Sequence, residues 1–370
     1  MKFFNAQKQY KQIKKEIDSI VIKVLSSGVF IEGKEVEECE KEIAKFCNTK
    51  YAVSLNSGTD ALFLSLKALG VGPGDEIITT PFTFIATAEV IANCGAKPVF
   101  VDIKPETFNI DSSKIKKVIT KKTKAIIPVH LFGQMADMDE VMKIAKEYKL
   151  FVIEDAAQAL GAEYKSRKAG TIGDLGCFSF FPTKNLGACG DGGMIVTNNK
   201  KLADKIRLLR NHGSSLREKY LNLILGTNSR LDTIQAAILR VKLKRLKKWN
   251  KKRIENAKYY NKKLEGVGDI RIPVVTPSQT HIFHQYTIRA KRRNKLRKHL
   301  KEKGVPTMIY YFLPLHLQPA FQYLGYKRGN FPIAERAAKE VLSLPIYPEL
   351  TKKDQNYIIQ KIKEFYEKQI

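Results

Sequence analysis

Between residues 51 and 155 the chain switches repeatedly between two hydrophobic periods, and this restricts its fold more than any other feature. Short apolar runs at 76–80, 97–101, 125–130 and 150–154 have the length and content of buried strands. The segments between them, notably 84–93 and 137–148, carry apolar residues at helical spacing. Strands that are apolar throughout must be covered on both faces, so the pattern predicts an α/β fold with a largely parallel sheet between helices. In such sheets ligands gather beyond the carboxyl ends of the strands. That directs the search for a site to the residues that follow each run.

Ile13, Ile17, Ile20 and Val24 predict an amphipathic helix over 6–26, and a second helix is expected over 34–46. Residues 51–70 read as a short β-type run, a Ser-Gly-Thr-Asp turn and a leucine-rich helix. A strand at 194–197 and a helix through Arg210 follow. A loop from 225 opens a strongly helical stretch to 243. Near residue 248 the character changes to lysine-rich helix and then Gly/Pro punctuation, which places a lobe boundary there. The expected division is a large domain, 1–248, and a smaller α+β domain, 249–370, with a strand at 285–290 and helices at 295–303 and 332–342.

With 44% hydrophobic and 28% charged residues, the 370-residue chain reads as globular rather than disordered. No apolar run approaches a membrane span, and the lysine-studded start lacks the apolar core of a signal peptide. The five cysteines form no C-x-x-C pair, so reduced thiols and a cytoplasmic location are expected. The formal charge of +28 is concentrated: residues 241–304 hold 21 Lys and Arg against 4 Asp and Glu. Such a stretch is a nucleic-acid or anionic-membrane surface, or a solvated helical face. Few aromatics lie among these charges and no RNA- or zinc-finger motif accompanies them, which favours the solvated face. His281 and His284 have a ligand-like spacing, but no further His or Cys cluster supports a metal, and none is expected.

Three features carry chemistry. In 176–193, GCFSFFPTKNLGACGDGG, Lys184 is the one lysine in an apolar, glycine-rich segment. A lysine withdrawn from water holds its proton less tightly, and its free amine attacks carbonyls. The same residue is equally a lysine snorkelling from a loop between strands. Ser57, Gly58, Thr59 and Asp60 fall at a helix start, which is either an anion cradle or only a cap. Asp155 directly follows a strand, with Gln158 one turn later, and is either a site acid or a cap. A phosphate cradle, a strand-end acid and a poised lysine, in that order, are what pyridoxal phosphate needs. The lysine supplies an amine, the cradle an anion site, and the acid a partner that keeps the ring nitrogen protonated.

The segments NSGTDAL (56–62), PFTFIATA (81–88), PVHLFGQ (128–134), IEDAAQA (153–159), SFFPTKNLGA (179–188), NSRLDTIQAAIL (228–239) and PLHLQPAF (314–321) resemble, in order, the motifs of the DegT/DnrJ/EryC1/StrS aminotransferases. This resemblance implies a fold-type-I pyridoxal-phosphate enzyme, a homodimer with each site shared between subunits. It casts Lys184 as the Schiff-base lysine, Asp155 as partner of the pyridinium nitrogen, Gln158 near the ring hydroxyl and Phe84 stacked on the ring. Gly58, Thr59 and Ser179 would hold the phosphate, with Asn228 joining from the other subunit. Arg230, Tyr310, Tyr311 and His316 would face the sugar nucleotide; ordinary loop and core packing is the alternative for these four. The implied reaction moves an amino group, typically from L-glutamate, onto a keto sugar linked to a nucleotide. Lysine at 184 argues against the branch that carries histidine there and dehydrates sugars. GACGDGG is closer to members acting on 3-keto than on 4-keto sugars, whereas Tyr310-Tyr311-Phe312 replaces the His-Tyr-Pro of many relatives. A regulatory or nucleic-acid-binding protein on the same fold is the alternative function.

Overall fold

The computed structural model describes residues 1–215, 218 and 220–367. Helices α1 (Ala6–Ser27) and α2 (Lys34–Cys47) lead into strand β1 (Tyr51–Leu55) and helix α3 (Gly58–Ala68). Then follow β2 (Glu76–Thr79), α4 (Ala86–Asn93), β3 (Lys97–Phe100), β4 (Thr123–Ile126), α5 (Met138–Tyr148) and β5 (Phe151–Asp155). The two-residue strands β6 (Glu163–Tyr164) and β7 (Arg167–Lys168) precede β8 (Leu175–Ser179), β9 (Gly193–Thr197) and α6 (Lys200–Leu209). The 32-residue helix α7 (Thr233–Leu264) comes next. After it lie β10 (Gln279–Thr280), β11 (Tyr286–Arg289), α8 (Arg293–Glu302), α9 (Pro332–Glu340), β12 (Val341–Leu344) and α10 (Lys352–Glu367).

Seven strands form the central sheet in the order β1-β9-β8-β5-β4-β2-β3. All neighbouring pairs from β8 to β3 are parallel, and only β9 runs against both its neighbours. Separate apolar cores cover the two faces. Ile78, Ile126, Val152, Phe178 and Val196 point into one, while Ile77, Ala125, Ile153, Cys177 and Ile195 point into the other. This two-sided burial is why the strands are apolar throughout.

The structure departs from the expected elements at three places. Of the apolar run at 125–130 only 125–126 are strand, the end of β4; beyond them the chain leaves the ladder, touching β5 again through Val129 and Asp155. The helix expected to reach residue 342 ends at Glu340, because Val341–Leu344 pairs antiparallel with Tyr286–Arg289. The two helical stretches on either side of 248 are one helix. Leu239, Leu243 and Leu246 of α7 pack in the sheet core, whereas Ala257, Tyr260 and Leu264 pack with β11, β12 and α10.

Part of the basic segment is structural. Lys242 is buried on the carbonyl of Gly187, Arg253 on those of Phe283, His284 and Ile346, and Arg293 on those of Ala338 and Val341. Arg289 pairs with Glu340. None of the described helices is long and apolar enough to cross a membrane. All five cysteines are free thiols, four of them buried.

Candidate active site

The site forms where α3 begins and β5 and β8 end. Ser57 caps α3, its hydroxyl accepting the amide of Asp60 at 3.0 Å. Gly58 and Thr59 occupy the first two helical positions, whose N–H groups have no partner within a helix. Together with the dipole of an 11-residue helix they offer the N–H donors and positive end that an anion site requires. Gly58 is required here: a Cβ on it would lie 2.6 Å from the Cβ of Ser179. Gly193 meets the same junction from the other side, where a Cβ would fall 2.1 Å from the carbonyl oxygen of Ser57. The contact brings the half-buried Ser179 hydroxyl beside the opening turn of α3.

From Ser179 the chain enters the glycine-rich loop, which closes on itself. Phe180 N–H donates to Gly192, Ala188 N–H to Phe180 and Lys184 N–H to Phe181. Helix α7 pins the far limb, with Lys242 Nζ on the Gly187 carbonyl at 2.7 Å and Gln235 Oε1 accepting the amide of Cys189 at 2.8 Å. Among the described residues the amine of Lys184 has no hydrogen-bond partner. Burial lowers its pKa to about 8, and the carboxylate of Asp155 opposes part of that shift. More free amine is therefore present near neutral pH than an exposed lysine would give.

Asp155 ends β5, in register with Cys177 on β8, and is buried. Thr87 Oγ1 donates to its Oδ2 at 2.7 Å and the Ala157 amide to its Oδ1 at 3.2 Å. Thr87 is in turn 3.1 Å from Thr83 Oγ1. Each carboxylate oxygen thus keeps lone-pair capacity for a further donor. Gln158 Oε1 accepts the Phe132 amide at 2.7 Å, and its Nε2 faces the Tyr311 hydroxyl at 3.4 Å. Phe84 lies 6.4 Å from the Tyr311 ring, centroid to centroid, and is 56% exposed, so its ring has an uncovered face. That arrangement suits stacking on a planar ligand.

The end of β5 has its own support. The buried carboxylate of Glu154 accepts the amides of Gly170, Ile172 and Gly173 at 2.6–2.8 Å and faces His130 Nε2 at 2.8 Å. His130 Nδ1 accepts the Ala136 amide, so the proton of the imidazole sits on Nε2.

The residues named for the sugar side are more dispersed. Tyr311 touches the site through Gln158, and Tyr310 is half-buried next to Phe3. His316 is buried, with Nε2 on Glu335 at 3.1 Å and Nδ1 without a partner; burial lowers its pKa. Asn228 is exposed and bridges Asn211, to which Arg230 also donates at 3.0 Å. Between them Ser229 bonds to Asn56, two residues ahead of Gly58. His281 and His284 are each engaged by protein groups, and the described residues hold no metal-type cluster.

Sequence reasoning missed Thr87, Asn185, Gln235 and Lys242. Thr87 had a usable signal, lying one turn past Phe84 in the same motif. Lys242 had none, since it stands in a run of lysines.

The residues present fit a pyridoxal-phosphate group. An unpartnered amine of lowered pKa lies within electrostatic range of a carboxylate with spare acceptor capacity, two helix-start amides lie beside a hydroxyl, and an aromatic ring keeps an uncovered face.

The chain is similar to known proteins over nearly its whole length. The DegT/DnrJ/EryC1/StrS aminotransferase family matches residues 11–363. A "pleiotropic regulatory protein" of Geobacillus stearothermophilus is 54% identical, covering 97% of this chain and 96% of its own. A UDP-2-acetamido-2-deoxy-3-oxo-D-glucuronate aminotransferase of Pseudomonas aeruginosa is 44% identical over 95% of this chain and 96% of its own. The crystal structure of S. venezuelae DesV in complex with a ketimine intermediate superimposes with a TM-score of 0.96 at 42% identity, covering 99% of this chain and 98% of DesV.

Proposed function

Because the chain belongs to the DegT/DnrJ/EryC1/StrS aminotransferase family, whose cofactor is pyridoxal 5'-phosphate, we propose that it aminates a keto sugar linked to a nucleotide, taking the amino group from L-glutamate. When bound, the cofactor supplies the carbonyl that holds the amino group and the ring that accepts electrons. The observation that carries the reading is the unpartnered Lys184 amine, its pKa near 8, within electrostatic reach of Asp155.

Each residue then has a definite task. Lys184 would hold the cofactor through its amine and, with that amine free, would serve as the group that moves a proton at the reacting carbon. Asp155, held by Thr87 and the Ala157 amide, would accept from the ring nitrogen and keep it protonated. Gln158 would bond the ring hydroxyl and Phe84 would cover one ring face. Gly58, Thr59 and Ser179 take the phosphate. Tyr310, Tyr311, His316 and Arg230 are assigned to the sugar-nucleotide side, Tyr311 most directly through its contact with Gln158.

A 3-keto sugar is favoured over a 4-keto sugar. GACGDGG supports this, as does the 3-oxo substrate in the name of the Pseudomonas relative. The working unit is proposed to be a homodimer in which Asn228 reaches the neighbouring phosphate site. Phe30, Ile31, Leu221, Leu223 and Leu225 support it: all are exposed, Leu225 to 96%. Apolar area of this kind marks an interface. The enzyme is placed in the cytoplasm, serving glycoconjugate or polysaccharide synthesis. The name of the Geobacillus relative raises a regulatory reading, but the complete Lys184, Asp155 and Gln158 set supports turnover.

The test is to load the protein as its pyridoxamine form and mix it with a panel of 3-keto and 4-keto nucleotide sugars, following return of the pyridoxal absorption. Rapid return with a 3-keto member is expected. A response to simple 2-oxo acids alone, with none to any sugar, would overturn the assignment.

A further inference from the structure

Among the described residues the Lys184 amine has no hydrogen bond or ion pair to orient it, so its direction depends on the loop that carries it. The next residue, Asn185, is buried and ties that loop to two distant segments. Its Nδ2 donates to Asn250 Oδ1 on α7 at 2.7 Å and to the Ile282 carbonyl at 3.3 Å. Its Oδ1 lies 3.3 Å from His284 Nδ1. Asn250 passes the connection on, its Nδ2 donating to the Leu160 carbonyl at 3.1 Å. Room for that amide depends on Gly161, where φ is +92° and a Cβ would stand 2.8 Å from Asn250 Nδ2.

The bonding pattern assigns the tautomer of His284. Asn185 uses its amide protons on Asn250 and Ile282, so its oxygen faces His284 and Nδ1 must carry the proton. Nε2 is then an acceptor, and Gln285 Nε2 lies 3.4 Å from it. A neutral ring satisfies both sides, whereas an imidazolium would set a proton against the Gln285 amide. Burial, followed by the charges of Lys184 and Arg253, also disfavours protonation of this ring. The strap is itself fixed: Arg253 Nη1 donates to the carbonyls of Phe283, His284 and Ile346.

We infer that Asn185, Asn250 and His284 are positioning residues that lock the Lys184 loop between α7 and the 281–285 strap, so that the amine is presented in one orientation. The inference rests on Lys184 being the cofactor-binding lysine. A displacement of about 1 Å at a reacting group costs up to about a hundredfold in rate. The network acts through geometry and leaves substrate affinity nearly alone.

The test uses the loaded protein and the variants His284→Leu, which removes the Nδ1–H donor, and His284→Asn, whose amide can restore a donor there. Three readouts are taken: the residue bearing the borohydride-fixed cofactor, the pH midpoint of the cofactor absorption, and kcat with KM for an amino donor that wild type accepts. In wild type and both variants the adduct should sit on Lys184. His284→Leu should lower kcat about tenfold to a hundredfold with KM within about threefold, and should move the absorption midpoint. His284→Asn should return kcat to within about threefold of wild type. If His284→Leu folds, carries the adduct on Lys184 and keeps both rate and midpoint, the positioning role is wrong. Equal impairment of the Leu and Asn variants overturns it too. An adduct on another lysine in wild type would instead remove the reading of Lys184 beneath it. Should His284→Leu not accumulate as folded protein, Asn250→Ala is judged by the same readouts.

Discussion

Replacing Glu154 by glutamine is the sharpest test of how the end of β5 is held. The carboxylate accepts from four donors: Ile172 and Gly173 N–H on Oε1, and Gly170 N–H and His130 Nε2–H on Oε2. An amide has one accepting oxygen, so either rotamer turns its NH2 group toward two donors. His130 cannot resolve the conflict by moving its proton, because Nδ1 already accepts the Ala136 amide. Two buried donors are left unsatisfied, at about 1–3 kcal/mol each, so the variant should lose about 2–6 kcal/mol. With an unfolding entropy of about 2.1 cal/mol/K per residue, the 370-residue chain changes by about 0.8 kcal/mol per degree. The melting temperature should therefore fall by about 3–8 °C, read by calorimetry on the cofactor-free protein to avoid ligand stabilisation. A shift below about 1 °C would show that the four contacts do not hold the end of β5.

Three further outcomes are expected. Because burial lowers the Lys184 pKa to about 8, below the ordinary 10.5, the rate at which cofactor-free protein takes up pyridoxal phosphate should rise with pH to a midpoint near 8. The sign for stability follows: burying the charged amine is unfavourable below pH 8, and that penalty fades as pH rises toward 10.5. An uptake midpoint near 10.5 would contradict the burial. Asp155→Asn should still bind the cofactor but transaminate poorly, since an amide cannot hold the ring nitrogen protonated; near-normal turnover would remove Asp155 from that role. Finally, subunit exchange between Lys184→Ala and an Asn228→Ala/Arg230→Ala variant should restore about a quarter of wild-type activity. Half of the mixed dimers would then be hybrids with one intact site. No recovery after verified exchange would make Asn228 and Arg230 serve their own subunit.

Much of this protein was written locally in its chain. Strand–helix alternation named the sheet because burial on both faces leaves strands apolar and their crossovers amphipathic, and both patterns fit in windows of 5–15 residues. Asp155 and the Ser57–Asp60 turn were legible because a strand end and a helix start have local signatures, and Lys184 because an isolated lysine among glycines is conspicuous. Tertiary structure decided everything that depends on partners far apart in sequence. Thr87 meets Asp155 across 68 positions, Asn185 meets Asn250 across 65, and His284 meets Asn185 across 99. No periodicity encodes such pairs, since a buried asparagine or histidine looks the same in sequence as an exposed one. The same holds for Val341–Leu344, which continues a helical pattern yet becomes a strand because β11 offers it a ladder of hydrogen bonds. Hydrophobic period set the layers; desolvation of the polar groups between them, each needing one particular partner, set the site.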